Sequence, residues 1–185
     1  MRRPLRSGPL ALALASLTAF ACAGPSGPSD QTAVPPQTVR HVDLDRYAGT
    51  WYEIASFPHR FQRGCVATTA TYEPRDDGRI RVRNRCRAGG LEADERGVDG
   101  VAWPVDETNA KLRVRFFWPF TGDYWVIALD PDYQWVVVGH PQREYLWILA
   151  RTPQIDASLY EALREKARAQ GFDVSRLERT LQPGA

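Results

Sequence analysis

From Thr50 onward the chain is written in short apolar runs closed off by turn residues. In RIRVRNRC (79–86), Ile80 and Val82 alternate with Arg79, Arg81 and Arg83. In KLRVRFFW (111–118), Leu112, Val114 and Phe116 alternate with Lys111, Arg113 and Arg115. A period of two puts successive side chains on opposite faces of a strand, so one face is enclosed and the other wet. The other runs are TWYEIAS (50–56), VATTATYE (66–73), GVDGVAWP (97–104), DYWVIAL (123–129), QWVVVG (134–139) and YLWILAR (145–151). Their connections are short and carry DDG, AGG, DETNA, PFTG, DPDY and HPQRE. Short connections imply antiparallel neighbours, and eight such strands lose their exposed edges by closing into an up-and-down barrel. A barrel of that size is either filled by its own side chains or holds one small ligand.

After the eighth run the period changes. In TPQIDASLYEALREKARAQGFD, Asp156 stands where an N-cap belongs, Leu159, Leu163 and Ala167 share one face, and Gly171 suits the left-handed position after the last turn. The pattern predicts a helix, and VSRLERTLQ (174–182) reads as a final short strand. The expected fold is all-β: an eight-stranded antiparallel up-and-down barrel with one C-terminal α-helix and a short ninth strand.

The N-terminus, MRRPLRSGPLALALASLTAFACAG, has three arginines ahead of an apolar stretch from Pro9 to Ala21. That stretch is short for a permanent membrane helix and suits a secretory signal. Ala19-Phe20-Ala21 before Cys22 satisfies the small-x-small rule for ordinary cleavage. It also resembles a bacterial lipobox, with Ala19 in place of leucine and Phe20 bulkier than usual. Plain secretion leaves Cys22 incidental; lipidation makes it the first residue and a membrane anchor. The Pro/Ser/Gly-rich run GPSGPSDQTAVPPQ (24–37) reads as a tether and favours lipidation. The expected organisation is a signal peptide (1–21), a lipidated cysteine with its tether (22–42) and one domain (43–185).

The formal charge of +2 counts Arg2, Arg3 and Arg6. Without them basic and acidic groups nearly cancel and the arginines are dispersed, so no nucleic-acid footprint is present. With Cys22 lipidated, Cys65 and Cys86 remain as a disulfide pair in an oxidising compartment. A two-residue turn at Asp77-Gly78 would set Cys65 opposite position 90, so this pairing requires a bulge or a bent strand start. No G-x-S-x-G elbow is present, and His41, His59 and His140 lack metal-ligand spacing. Asp76, Asp77, Asp130 and Asp132 fall in turns, where aspartate is conformationally favoured. Neither a metal nor a cofactor is expected.

DLDRYAGTWYEIASFPHRF, GDYWVIALD, YLWILARTP and GFDVSRL together resemble the bacterial lipocalins, outer-membrane lipoproteins related to apolipoprotein D. The resemblance runs from about residue 43 to 184 and includes Gly49-x-Trp51, Gly122-Asp123-Tyr124 and Arg151 in order. It implies that Gly49 permits a tight start to the first strand, that Trp51 plugs the closed end, and that Arg151 packs over the indole. With Arg151 inward, period two places Leu149 and Trp147 inward above it. The candidate lining is Tyr72, Leu112, Val114, Phe116, Tyr124, Val126, Val138 and Trp147. Such a calyx suits a fatty acid or lysophospholipid, and the anchor implies the periplasmic face of the outer membrane, since Ala23 is not an inner-membrane retention aspartate.

Two other readings stand beside it. The side chains fill the barrel and the domain is an envelope interaction protein; or Cys65 is free, near Arg63, and acts as a nucleophile. Arg60 and Arg63 flank Phe61 near the mouth and suit an anionic headgroup, while a solvated loop is the plainer reading. WPFTG (118–122) offers aromatics to a membrane or to a second copy in a homodimer. Glu53 and Asn84 are placed either in the interior or in water. No histidine reads as lying inside the barrel, which leaves haem without a proximal ligand.

Overall fold

The computed structural model describes residues 34–184. The signal peptide, Cys22 and residues 23–33 of the tether lie outside the described residues. A short helix, α1 (Leu44–Tyr47), leads into β1 (Gly49–Ser56), β2 (Cys65–Pro74), β3 (Ile80–Ala88), β4 (Glu95–Pro104), β5 (Lys111–Phe117), β6 (Phe120–Leu129), β7 (Trp135–Gly139) and β8 (Leu146–Ala150). Then come α2 (Ala157–Ala169) and β9 (Glu178–Arg179). Each of the first seven strands pairs antiparallel with the next, and β1 pairs with both β2 and β8, so the sheet closes on itself.

The alternating runs supply one wall each. Trp51, Tyr72, Val82, Leu112, Val126, Val138 and Leu149 belong to the cluster inside the barrel. A second cluster lies outside, where Ile54, Val137, Leu146 and Ile148 meet Leu163, Ala167 and Phe172 of α2 and the segment after it. This explains why β7 and β8 read as nearly continuous apolar runs: both of their faces are covered. Gly139 is required there, because a Cβ at this position would fall 2.4 Å from the Phe172 ring.

Cys65 and Cys86 form a disulfide, with Cα atoms 5.5 Å apart. The register shifts between Val66 and Thr69, where Ala67 takes φ +50°, so Cys65 pairs with Ala88, next but one to Cys86. The bulge that this cysteine pairing requires is therefore present.

Helix α2 runs thirteen residues with Asp156 at its N-cap position, as expected, although the Asp156 side chain makes no cap bond. One local expectation is corrected. The final segment is a 3-10 turn, Val174–Arg176, followed by a strand of only two residues. It is held less by its own pairing than by the seam it enters. Beyond the Tyr52–Thr69 pair, β1 and β2 diverge, and the C-terminal segment fills the gap. Thr180 donates its N–H to Ile54 O, Ala67 donates to Leu181 O, and Gln182 Nε2 donates to both Glu53 O and Thr68 O.

Up-and-down connectivity puts the β1–β2, β3–β4, β5–β6 and β7–β8 connections at one end, the open one. Helix α1 and the other turns lie at the closed end.

Candidate functional site

The floor is built first. Asp43 caps α1 by accepting from the N–H groups of Asp45 and Arg46. The helix delivers Tyr47 under the barrel, and Gly49, at φ +93°, turns the chain into β1. Trp51 is fully buried and donates its indole N–H to Tyr47 O at 2.9 Å. Arg151, just past β8, stacks its guanidinium 3.9 Å from the centre of the Trp51 ring. It donates to the carbonyls of Thr50, Arg46 and Tyr47. Indole, phenol and guanidinium thus seal the closed end.

Above the floor, three tyrosines from three elements converge. Tyr47 Oη lies 2.6 Å from Tyr124 Oη, and Tyr72 Oη lies 2.9 Å from it. Burial pushes all three phenols upward, Tyr72 to about 12, so they stay protonated across the physiological range. Around and above them the wall is apolar. Tyr72, Leu112, Val126 and Val138 are buried members of the interior cluster; Val114, Phe116, Tyr124 and Trp147 pack against it and retain accessible surface. Phe116 fits because Gly100 faces it: a Cβ there would sit 2.6 Å from the ring.

Toward the mouth the interior becomes polar on one side. Glu53 is buried on β1, and its carboxylate accepts from Ser56, Gln62 and Thr180. Gln62 lies in the 3-10 turn Arg60–Gln62 of the β1–β2 connection, so this contact latches the rim loop to the barrel. His59 packs edge-on against Tyr145 and Trp147, which stack on each other. Burial lowers the His59 imidazole below its ordinary value, against the opposing charge of Glu53. At the lip, Phe61, Phe117, Trp118 and Phe120 are exposed, Trp118 by 82%. Arg60 and Arg63 are exposed beside Phe61.

A family model described as a lipocalin-like domain matches residues 42–182. The outer membrane lipoprotein Blc of Escherichia coli strain K12 is 43% identical over 181 residues, covering 95% of this chain and 97% of its own. Temperature-induced lipocalin-1 of Arabidopsis thaliana is 45% identical, covering 79% and 82%. The chain is a lipocalin. Insecticyanin of the tobacco hornworm Manduca sexta shares the fold at a TM-score of 0.61 and 22% identity, over 80% of this chain and 83% of that one. Apolipoprotein D of Macaca fascicularis is 33% identical, covering 80% of both chains.

In this lipocalin all eight residues of the candidate lining belong to the interior cluster or pack against it, and Gly49, Trp51 and Arg151 meet at its floor. Glu53 and Asn84 both lie on inward-facing positions; Asn84 is paired between Ala70 and Val98, and its Oδ1 is buried without a partner. Tyr47 was not legible in the strand pattern, although Asp43 ahead of LDRY is a helix-cap signal that could have located it. The Glu53 latch and the C-terminal seam left no local signal. Their partners lie far apart in the chain.

Proposed function

We propose that this lipocalin holds one fatty acid or lysophospholipid in its calyx at the periplasmic face of the bacterial outer membrane. The observation that carries the reading is the wall of Val114, Phe116, Tyr124 and Trp147. These side chains point inward in a closed barrel above a sealed floor, yet keep accessible surface. Affinity comes from burial, about 0.8 kcal/mol for each methylene withdrawn from water. Arg60 and Arg63 at the lip suit a carboxylate or phosphate left at the mouth.

The path of the N-terminal segment supports a membrane setting. Arg143, in the β7–β8 connection, donates to Val34 O, so the described chain begins at the open end. Residues 22–33 reach at most about 40 Å when extended. An acylated Cys22 would therefore hold the mouth and its exposed aromatics close to the bilayer. The outer membrane lipoprotein relative named above agrees with such an anchor.

The reading is binding without chemistry. The one nucleophile considered for an enzyme, Cys65, is joined to Cys86.

Native mass spectrometry of the mature chain, delipidated and titrated with fatty acid and lysophospholipid, tests the proposal. One-to-one uptake, abolished by Phe116→Glu or Trp147→Glu in a folded protein, is the expected result. A folded wild type that takes up neither ligand would sink it and favour a filled barrel acting as an envelope interaction protein.

A further inference from the structure

The three interior phenols form an open-ended chain of hydroxyls. Each carries one proton to donate. Two oxygen–oxygen contacts join them, Tyr47 to Tyr124 and Tyr72 to Tyr124. Whichever way the hydroxyls turn, two contacts engage two protons. The third proton has no acceptor within hydrogen-bond reach among the described residues. Tyr124, the central member, is half-buried and packs against the interior cluster.

We propose that the deep end of the calyx is a subsite for a neutral oxygen acceptor carried on the leading end of the ligand. The inference rests on the calyx reading and narrows it. A bare methyl terminus reaching the floor leaves the third hydroxyl unpaired in a site of low polarity, which is unfavourable. A terminal hydroxyl, ketone or ester carbonyl satisfies it. Shape alone would not make this distinction, because the two ends are similar in size. Hydrogen-bond satisfaction does.

Neutral oxygen is favoured over carboxylate by the charges nearby. Arg151 is engaged on the Trp51 ring and on backbone carbonyls below the floor, so it is not presented to the lumen. The buried Glu53 carboxyl higher up is engaged by Ser56, Gln62 and Thr180 and offers a passing carboxylate no donor. A carboxylate therefore stays at the arginine-bearing lip, and the buried end of the preferred ligand is an uncharged oxygenated terminus. The class is an apolar chain or ring system with a hydroxyl or carbonyl at its far end.

The test compares fatty acids of twelve to sixteen carbons with their ω-hydroxy counterparts, by native mass spectrometry and competition on the mature chain. Wild type is expected to bind the ω-hydroxy member of at least one matched pair about fivefold or more tightly. The triple variant Tyr47→Phe, Tyr72→Phe, Tyr124→Phe keeps the shape and removes every donor. It is expected to lose that preference and to hold the methyl-ended acid at least as well as wild type. A second measurement needs no variant: the carbonyl stretch of a bound (ω−1)-keto fatty acid, read by infrared, is expected below its frequency in alkane. Equal binding within every pair, with an alkane-like carbonyl frequency, would overturn the subsite and leave the calyx reading intact. Absence of binding by both members, with the fold intact, would overturn the calyx and the subsite together.

Discussion

Arg151 lies over the face of Trp51, its guanidinium carbon 3.9 Å from the ring centre, while its nitrogens hold the backbone of the segment that carries Trp51. One side chain therefore joins the end of the eighth strand to the start of the first. Replacing Arg151 with Ala is expected to cost about 2–3 kcal/mol, through lost charge-assisted bonds and the uncovered indole. Arg151→Lys should recover less than half, because a single ammonium cannot stack on the ring and serve several carbonyls at once. Urea unfolding of the two variants checks both statements.

The tyrosine cluster makes stability fall in alkali. In the folded chain the Tyr72 phenol is raised to about 12, and those of Tyr47 and Tyr124 are raised well above their ordinary range. In the unfolded chain they ionise near pH 10. Above that pH the unfolded state releases protons that the folded state retains, so stability is complete below pH 10 and is lost as pH rises through 12. Urea midpoints between pH 8 and 11.5 should decline for wild type. They should decline less for the variant with phenylalanine at all three positions.

Helix α2 is docked through a gap that only glycine leaves. Gly139→Ala should destabilise by about 1–3 kcal/mol, since the new methyl would meet the Phe172 ring. Phe172→Leu in the same chain should relieve part of that cost. A double-mutant cycle measured by urea unfolding would show the coupling; strict additivity would mean that the ring moves aside freely.

The disulfide closes a loop with a sequence separation of 21. Reduction, or the pair Cys65→Ser and Cys86→Ser, is expected to remove about 3 kcal/mol in the chain-entropy model. Thermal unfolding with and without reductant reads this directly. A count of free thiols in denaturant without reductant should find neither cysteine reactive.

Gln182 closes the seam near the C-terminus. It is 1% exposed, and its amide serves Glu53 O and Thr68 O across the gap between β1 and β2. Gln182→Ala leaves two buried carbonyls unpaired and should cost about 1–3 kcal/mol. Amide hydrogen exchange is expected to rise first at Thr180 and Ala67, whose N–H groups bridge the seam.

The eight strands were legible because alternation is local. Leu112, Val114 and Phe116 announce an enclosed face without reference to any partner; the floor of Gly49, Trp51 and Arg151 was expected only through the family resemblance. The pairing of Cys65 with Cys86 was legible from the cysteine count, but its geometry was not. The bulge at Ala67 depends on a backbone conformation that alanine does not signal. Likewise Asp156 stands where a cap belongs, yet the helix starts without its side chain.

What the sequence determined by itself is the set of strands, their order, the terminal helix and the apolar character of one face of each strand. Those follow from periodicity and turn chemistry within about ten residues. Closure of the barrel decides which distant residues meet: Tyr47 with Tyr124 at a separation of 77 residues, Glu53 with Thr180 at 127, and Arg151 with Thr50 at 101. A period of two says that faces alternate. It does not say which groups closure will bring together, because bulges reset the register and the sheet's curvature sets the distances. The polar chemistry of this calyx is made by closure.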